Sequence, residues 1–293
     1  NLLPGRDFDA LPEPHASPFR RIATGGKRTQ PPPTGGPSKC LILTRHDPRG
    51  MTKNRRLMTH TKGVLYLIPS FLFPGTTQMM SPHLIETTGR ITHYFVENLR
   101  TARRFLRALD GSKDIDACHF SWLTVTEPAD VALLGRWLES GLEVGVISEA
   151  GYPCIADPGE VLVREAQRLG ARVIPLVGPN AMLMALAASG LNGEAFAFAG
   201  YVPREAAARV KALKELEKRA RQRGETQILM ETPYRNNQLL GDMLRHLDPA
   251  TELCVAADIT APTEYIRTLR IGDWKGQLPD LHKRPAVFLL GAP

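Results

Sequence analysis

Cysteine is scarce: Cys40, Cys118, Cys154 and Cys254 are the only four in 293 residues, far apart and without a C-x-x-C pair. That argues against a disulfide framework or a Cys-rich zinc site and makes a reducing, cytoplasmic setting the default. Long apolar runs are missing too. The best candidates, GVLYLIPSFLFPG and AMLMALAASGL, are interrupted by Pro or Gly and fall short of the ~18 residues of a membrane span. No continuous apolar h-region marks the N-terminus, so no signal peptide is expected. The eight histidines show no H-E-x-x-H or other ligand spacing, and no metal is expected. Ser121, Ser148 and Ser189 stand in no G-x-S-x-G elbow, which leaves a hydrolase triad without support. Neither a G-x-G-x-x-G fingerprint nor a P-loop occurs, so Rossmann dinucleotide and NTPase readings have no motif either.

What is present is uneven. The formal net charge is +7, but residues 1–62 carry 12 basic and 4 acidic side chains, leaving 25 basic against 26 acidic in the remainder. The body of the protein is therefore nearly neutral, and its overall pI is a poor argument for nucleic-acid binding. Residues 1–60 include TGGKRTQPPPTGGPSK and little hydrophobic periodicity, a composition expected to form a disordered basic leader. A basic interaction arm, a transit peptide and an over-extended reading frame ahead of Met58 are all compatible with it.

From Gly63 onward, strand-length apolar runs alternate with helical patterns, which predicts an α/β protein with a largely parallel sheet. GVLYLIP, THYFVE, HFSWLTV, LEVGVIS and ARVIPLV make a first set. AFAFAGYVP, TQILMET, ELCVAADI, a hairpin in EYIRTLRIGDWKG and PAVFLLG make a second. Turn residues in SGLNGE place a boundary near Leu191 to Glu194, giving α/β domains at 61–192 and 193–293.

Three stretches could carry chemistry. In VGVISEAGYPCIADPGEVLVREAQRLG the strand ends at Ser148-Glu149-Ala150-Gly151, where open α/β sheets bind ligands. Gly151, Pro153, Pro158 and Gly159 fix its backbone path, and small Ala150 and Ala156 leave the main chain bare. VIPLVGPNAM repeats the pattern, with Asn180 placed to cap a helix. Gly and Pro that merely punctuate αβ connections would look the same. The second stretch, ENLRTARRFLRAL, sets Arg100, Arg103, Arg104 and Arg107 on one helix face, suited to phosphate, while Ala102, Phe105, Leu106 and Leu109 face a core. A solvated helix face is the plainer account. Glu97, just before it, ends a strand on the ligand side. The third stretch, METPYR, ends another strand at Glu231-Thr232-Pro233.

Together these residues resemble the tetrapyrrole (corrin/porphyrin) methylase superfamily, within it the ribosomal RNA small subunit 2′-O-ribose methyltransferase I branch and its short S-adenosylmethionine-dependent relatives. AG-x-P-x-x-x-DPG followed about twenty residues later by PLVGP-x-A carries the likeness, with GVLYLIP, VENLRTARRFL and ILMETPYRN. The resemblance implies two α/β domains, S-adenosyl-L-methionine in the cleft between them and a homodimer, for which the apolar helix Asn180 to Leu191 offers a face. It also implies donor contacts from Gly151, Tyr152, Pro153, Gly178, Pro179 and Ala181, with Thr232 and Pro233 closing the site and Pro69 lining the cleft. Departures bear on the acceptor: Glu97-Asn98-Leu99-Arg100 stands for acidic-Asp-Thr-Arg, Ser148-Glu149-Ala150-Gly151 for Ser-Asp-Ala-Gly, and PSFLFPGTT for a Pro-Thr-Pro-x-Gly-Asn loop.

The activity so implied is methyl transfer to an RNA ribose 2′-hydroxyl, with Glu97 as the first candidate base and Glu149 as the second. Arg100, Arg103 and Arg104 would hold substrate phosphate. A small-molecule acceptor, tetrapyrrole-like or otherwise anionic, and a donor-binding protein without catalysis are the alternatives.

Overall fold

The computed structural model describes residues 62–123 and 128–292. The expectations for the leader, residues 1–60, lie outside these. The described chain builds two five-stranded sheets, one from each predicted set.

In the first sheet, β1 (Val64–Leu67), β2 (His93–Val96), β3 (His119–Trp122), β4 (Glu143–Ile147) and β5 (Arg172–Pro175) lie in the order β3-β2-β4-β1-β5, all parallel. Strand periodicity sorts its residues onto two faces. Leu65, Phe95, Val144 and Val146 pack against Leu134 and Leu138 of α3 (Pro128–Glu139) and Leu162 of α4 (Glu160–Leu169). Tyr66, Tyr94 and Val96 pack against Leu84 of α1 (Pro82–Arg90) and Phe105 and Leu106 of α2 (Leu99–Leu109). Helix starts follow local chemistry: the Ser81 hydroxyl accepts the Leu84 N–H ahead of Pro82, and the Asn98 side chain accepts the N–H groups of Arg100 and Thr101.

The second sheet comprises β6 (Phe196–Tyr201), β7 (Thr226–Met230), β8 (Glu252–Ala257), β9 (Tyr265–Arg270) and β10 (Ala286–Gly291), in the order β6-β7-β10-β8-β9. Only β6 and β7 pair in parallel, because β10 enters antiparallel between β7 and β8 and β9 folds back along β8. The expectation of a largely parallel arrangement therefore holds for the first sheet and not for the second. The hairpin expected in EYIRTLRIGDWKG is likewise replaced by the single strand β9 and a 3-10 turn, Ile271–Trp274. Burial decides it: Ile271 and Trp274 enter the core beneath α6 (Ala206–Arg223) and α7 (Asn236–His246). The N–H groups of Ile271 and Gly272 donate to the Thr251 and Pro249 carbonyls at 2.9 Å.

The opposite face of the second sheet is covered by α5 (Ala181–Ser189), which follows β5 of the first. Met182, Ala185 and Leu186 are buried there against Ile228, Cys254, Ala256, Val287 and Leu289. This corrects the expectation that this helix presents a free apolar face to a second copy. Most of that surface is used within the chain, and Leu183, Ala187 and Ala188 are what α5 leaves exposed.

Candidate active site

Three loops at the carboxyl ends of β1, β4 and β5 touch one another. The Ser70 N–H donates to the Gly151 carbonyl at 2.8 Å, forming an isolated bridge, and the Ser70 hydroxyl donates to the Ser148 carbonyl at 3.2 Å. Gly178 lies so close to Pro69 that a Cβ there would meet the ring at 2.2 Å. Gly151 has φ of +73°, and a Cβ on it would come within 3.1 Å of Leu72. The bareness of both turns is thus explained first by loops packed on loops. Cys154 and Ala156, with φ of 66° and 62°, hold the rest of the turn in the left-handed region, which side-chain-bearing residues occupy at a cost.

Pro69, Gly151, Pro153 and Pro179 are buried in this wall, whereas Tyr152, Gly178 and Ala181 are half-buried. Asn180 caps α5 by accepting the Leu183 N–H at 3.1 Å. The N–H groups of Ala181 and Met182 start the helix and have no intrahelical acceptor. Leu72 and Met230 both border the apolar cluster that contains Met182, which brings the loop after β1 and the end of β7 to one cluster. Beyond Met230, the buried Glu231 carboxylate accepts the Thr232 N–H at 2.6 Å and pairs with Arg235. That pairing fixes the turn bearing Thr232 and Pro233, both half-buried.

Carboxylates gather at the mouth. Glu97, at the end of β2, accepts the Glu149 N–H at 2.9 Å, so the two candidate bases are neighbours; Glu149 is exposed. Asp157 of the DPG turn was not singled out in the sequence. Burial first, then the charges of Glu97 and Glu149, push its carboxyl up to about 6, against a smaller lowering by the Ser148 hydroxyl. That hydroxyl, in a residue 3% exposed, lies beside Asp157 without completing a hydrogen bond among the described residues. Tyr201, at the end of β6, has its phenol raised by burial and by the charges of Asp157, Glu231 and Glu97, which places it at the same cluster. Burial, then the charges of Glu160 and Asp157, push the Cys154 thiol up to about 11, which disfavours its thiolate. No group of three or more metal-ligating side chains occurs among the described residues.

The arginine stripe forms as its spacing requires. Ala102, Phe105 and Leu106 are buried, while Arg100, Arg104 and Arg107 are exposed. Arg103 is ion-paired with Asp116. The sequence reading missed Asp157, Tyr201 and Trp122. Asp157 stood inside a motif read for its Gly and Pro, and the other two lie at strand ends that carried no polar pattern.

Residues 97–274 match the family model for Tetrapyrrole (Corrin/Porphyrin) Methylases. The chain is 31% identical over 230 residues to the Ribosomal RNA small subunit methyltransferase I of Vibrio cholerae, covering 78% of this chain and 76% of that one. It is also 31% identical over 234 residues to the protein of the same name from Pseudomonas aeruginosa, covering 78% of each. In structure it resembles the methyltransferase CobJ, with a TM-score of 0.51 at 18% identity over 79% of this chain and 94% of that one. That likeness concerns the fold alone. By the extent of the family match and of its sequence relatives, the chain belongs to the Tetrapyrrole (Corrin/Porphyrin) Methylases and is a methyltransferase.

Proposed function

We propose that the protein transfers a methyl group from S-adenosyl-L-methionine to a ribose 2′-hydroxyl of RNA, in the cytoplasm. The observation that carries this reading is the packing of the loops after β1, β4 and β5 on one another, with Tyr201 at the end of β6 within reach of the charges of Asp157, Glu97 and Glu231. The surroundings suit the donor. Half-buried Tyr152 and Gly178 supply apolar wall and bare backbone, the start of α5 at Ala181 offers N–H groups to a carboxylate, and the nearby carboxylates favour a cation. The donor supplies an electrophilic methyl on a positively charged sulfur.

The chain's own residues then position the acceptor and take its proton. Glu97 and Asp157 act together: burial, then the charge of Glu97, raises the Asp157 carboxyl to about 6, so a carboxylate is poised to accept the hydroxyl proton. Glu149, exposed beside them, is a secondary candidate. Arg100 and Arg104, with Arg103, hold phosphate outside the mouth, and the carboxylates inside face the hydroxyl. This division of charge favours a nucleic-acid acceptor over a polycarboxylate tetrapyrrole, whose acid groups would meet Glu97, Glu149 and Asp157.

The homodimer belongs to the same reading and moves from α5 to the edge strand β6. Phe198 pairs in register with Ile228, which α5 covers, yet Phe196 and Phe198 on that face stay 42% and 38% exposed.

Calorimetric titration of the protein with S-adenosylmethionine tests the donor site, with Ala181→Arg as the blocking variant and its melting temperature as the folding control. Binding abolished in a folded variant supports the site; equal binding by both moves it elsewhere. Transfer of labelled methyl to small-subunit ribosomal RNA tests the acceptor. Label recovered in alkali-stable dinucleotides supports ribose modification, and label absent from them overturns it.

A further inference from the structure

The arginine face of α2 does not stand alone. It forms one wall of a groove of about 550 Å³ whose other side is Trp122, the last residue of edge strand β3. Trp122 is 55% exposed, in contrast to the fully buried Trp274. Arg100, Arg104 and Arg107 make no ion pair among the described residues, whereas Arg103 is partly neutralised by Asp116. Burial does not require an indole at this position, and neighbouring cations leave the groove positive.

We propose that this groove holds an unpaired nucleotide of the RNA acceptor, with its base stacked on Trp122 and its flanking phosphates on Arg100, Arg104 and Arg107. The inference rests on the RNA reading above and makes it more specific: the acceptor is presented single-stranded. An aromatic face beside a row of cations is the arrangement that binds single strands, because every base has a face to stack and every phosphate a charge. A duplex keeps its bases stacked inside and offers the indole nothing. Location agrees. Trp122 pairs in register with Val96, so the groove opens one strand away from Glu97, and a nucleotide held there leaves its neighbour at the carboxylate cluster.

The test is fluorescence anisotropy of an end-labelled single-stranded RNA and of the same sequence as a duplex, titrated with the full chain at several salt concentrations. Trp122→Ala is expected to weaken single-strand binding roughly 5- to 150-fold with an unchanged salt slope, the loss of one stacked base. Trp122→Phe restores most of it. Arg104→Ala combined with Arg107→Ala lowers the salt slope by about 0.7 for each phosphate that is no longer neutralised. Duplex binding is expected to be weaker and indifferent to Trp122→Ala. If Trp122→Ala binds single strands as the parent does, the stacking platform is wrong while the RNA reading stands. If the parent binds neither form, the RNA reading itself is overturned.

Discussion

At the scale of single residues, Asp157 links stability to function. Its carboxyl is raised to about 6 by burial and by the charges of Glu97 and Glu149, so the folded protein holds a proton that the unfolded chain has released. Between about pH 4 and pH 6 the folded state therefore binds more protons, and stability falls as pH rises through that window. Asp157→Asn removes the titration. Thermal melts are expected to coincide for variant and parent near pH 4 and to separate above pH 6, with the variant more stable. Methyl transfer by the variant is expected to drop by about 10² or more if the carboxylate takes the proton. Parallel stability curves would show that burial of Asp157 is not felt, and full activity would return the base role to Glu97 alone. Glu97→Gln is the companion variant. It removes one cause of the raised Asp157 value and should shift the acid limb of the pH–rate profile downward while lowering the rate.

At the scale of elements, α6 and α7 are tied by an ion pair almost out of reach of water. Arg209 and Asp242 meet at 2.7 Å with side chains 3% and 9% exposed, and Arg209 also donates to the Arg204 carbonyl at 2.6 Å. Burial raises the Asp242 carboxyl, but the two guanidiniums of Arg209 and Arg245 more than offset this and hold it below its ordinary value. Asp242→Ala strands a buried guanidinium and is expected to cost about 3–5 kcal/mol in denaturant unfolding, whereas Arg209→Met with Asp242→Leu should cost far less. Equal losses in both would mean that the pair itself contributes the stability. Neither partner was legible in the sequence, because each reads as one more charge on a polar helix and only the packing of α6 on α7 brings them together. The elements themselves were legible. The Val- and Ile-rich runs LEVGVIS and ARVIPLV and the cap at Asn180 act within a few residues, so local sequence records them. The order of β10 between β7 and β8, and the turn that buries Trp274, depend on partners far along the chain and could not be read.

At the scale of the whole molecule, α5 is the element that joins the two sheets. A helix that begins at the end of a strand in the first sheet and buries itself on the second brings the first sheet's loops to the apolar cluster that Leu72, Met182 and Met230 share. Sequence showed which turns were bare and left a ligand and the plain punctuation of αβ connections as rival accounts of the bareness. The structure shows that Pro69 and Leu72 fill the space over Gly178 and Gly151, so the loops support one another. Using α5 in this way leaves β6 uncovered, and an edge strand carrying Phe196 and Phe198 is a surface that a second copy can pair with or pack upon. Phe198→Glu places a charge in the middle of that surface. Sedimentation equilibrium is expected to find the parent as a dimer and the variant as a monomer with an unchanged melting profile. A monomeric parent would remove the dimer from the reading, and a dimeric variant would move the interface away from β6. If the variant is monomeric yet still transfers methyl groups, each chain carries a complete site of its own.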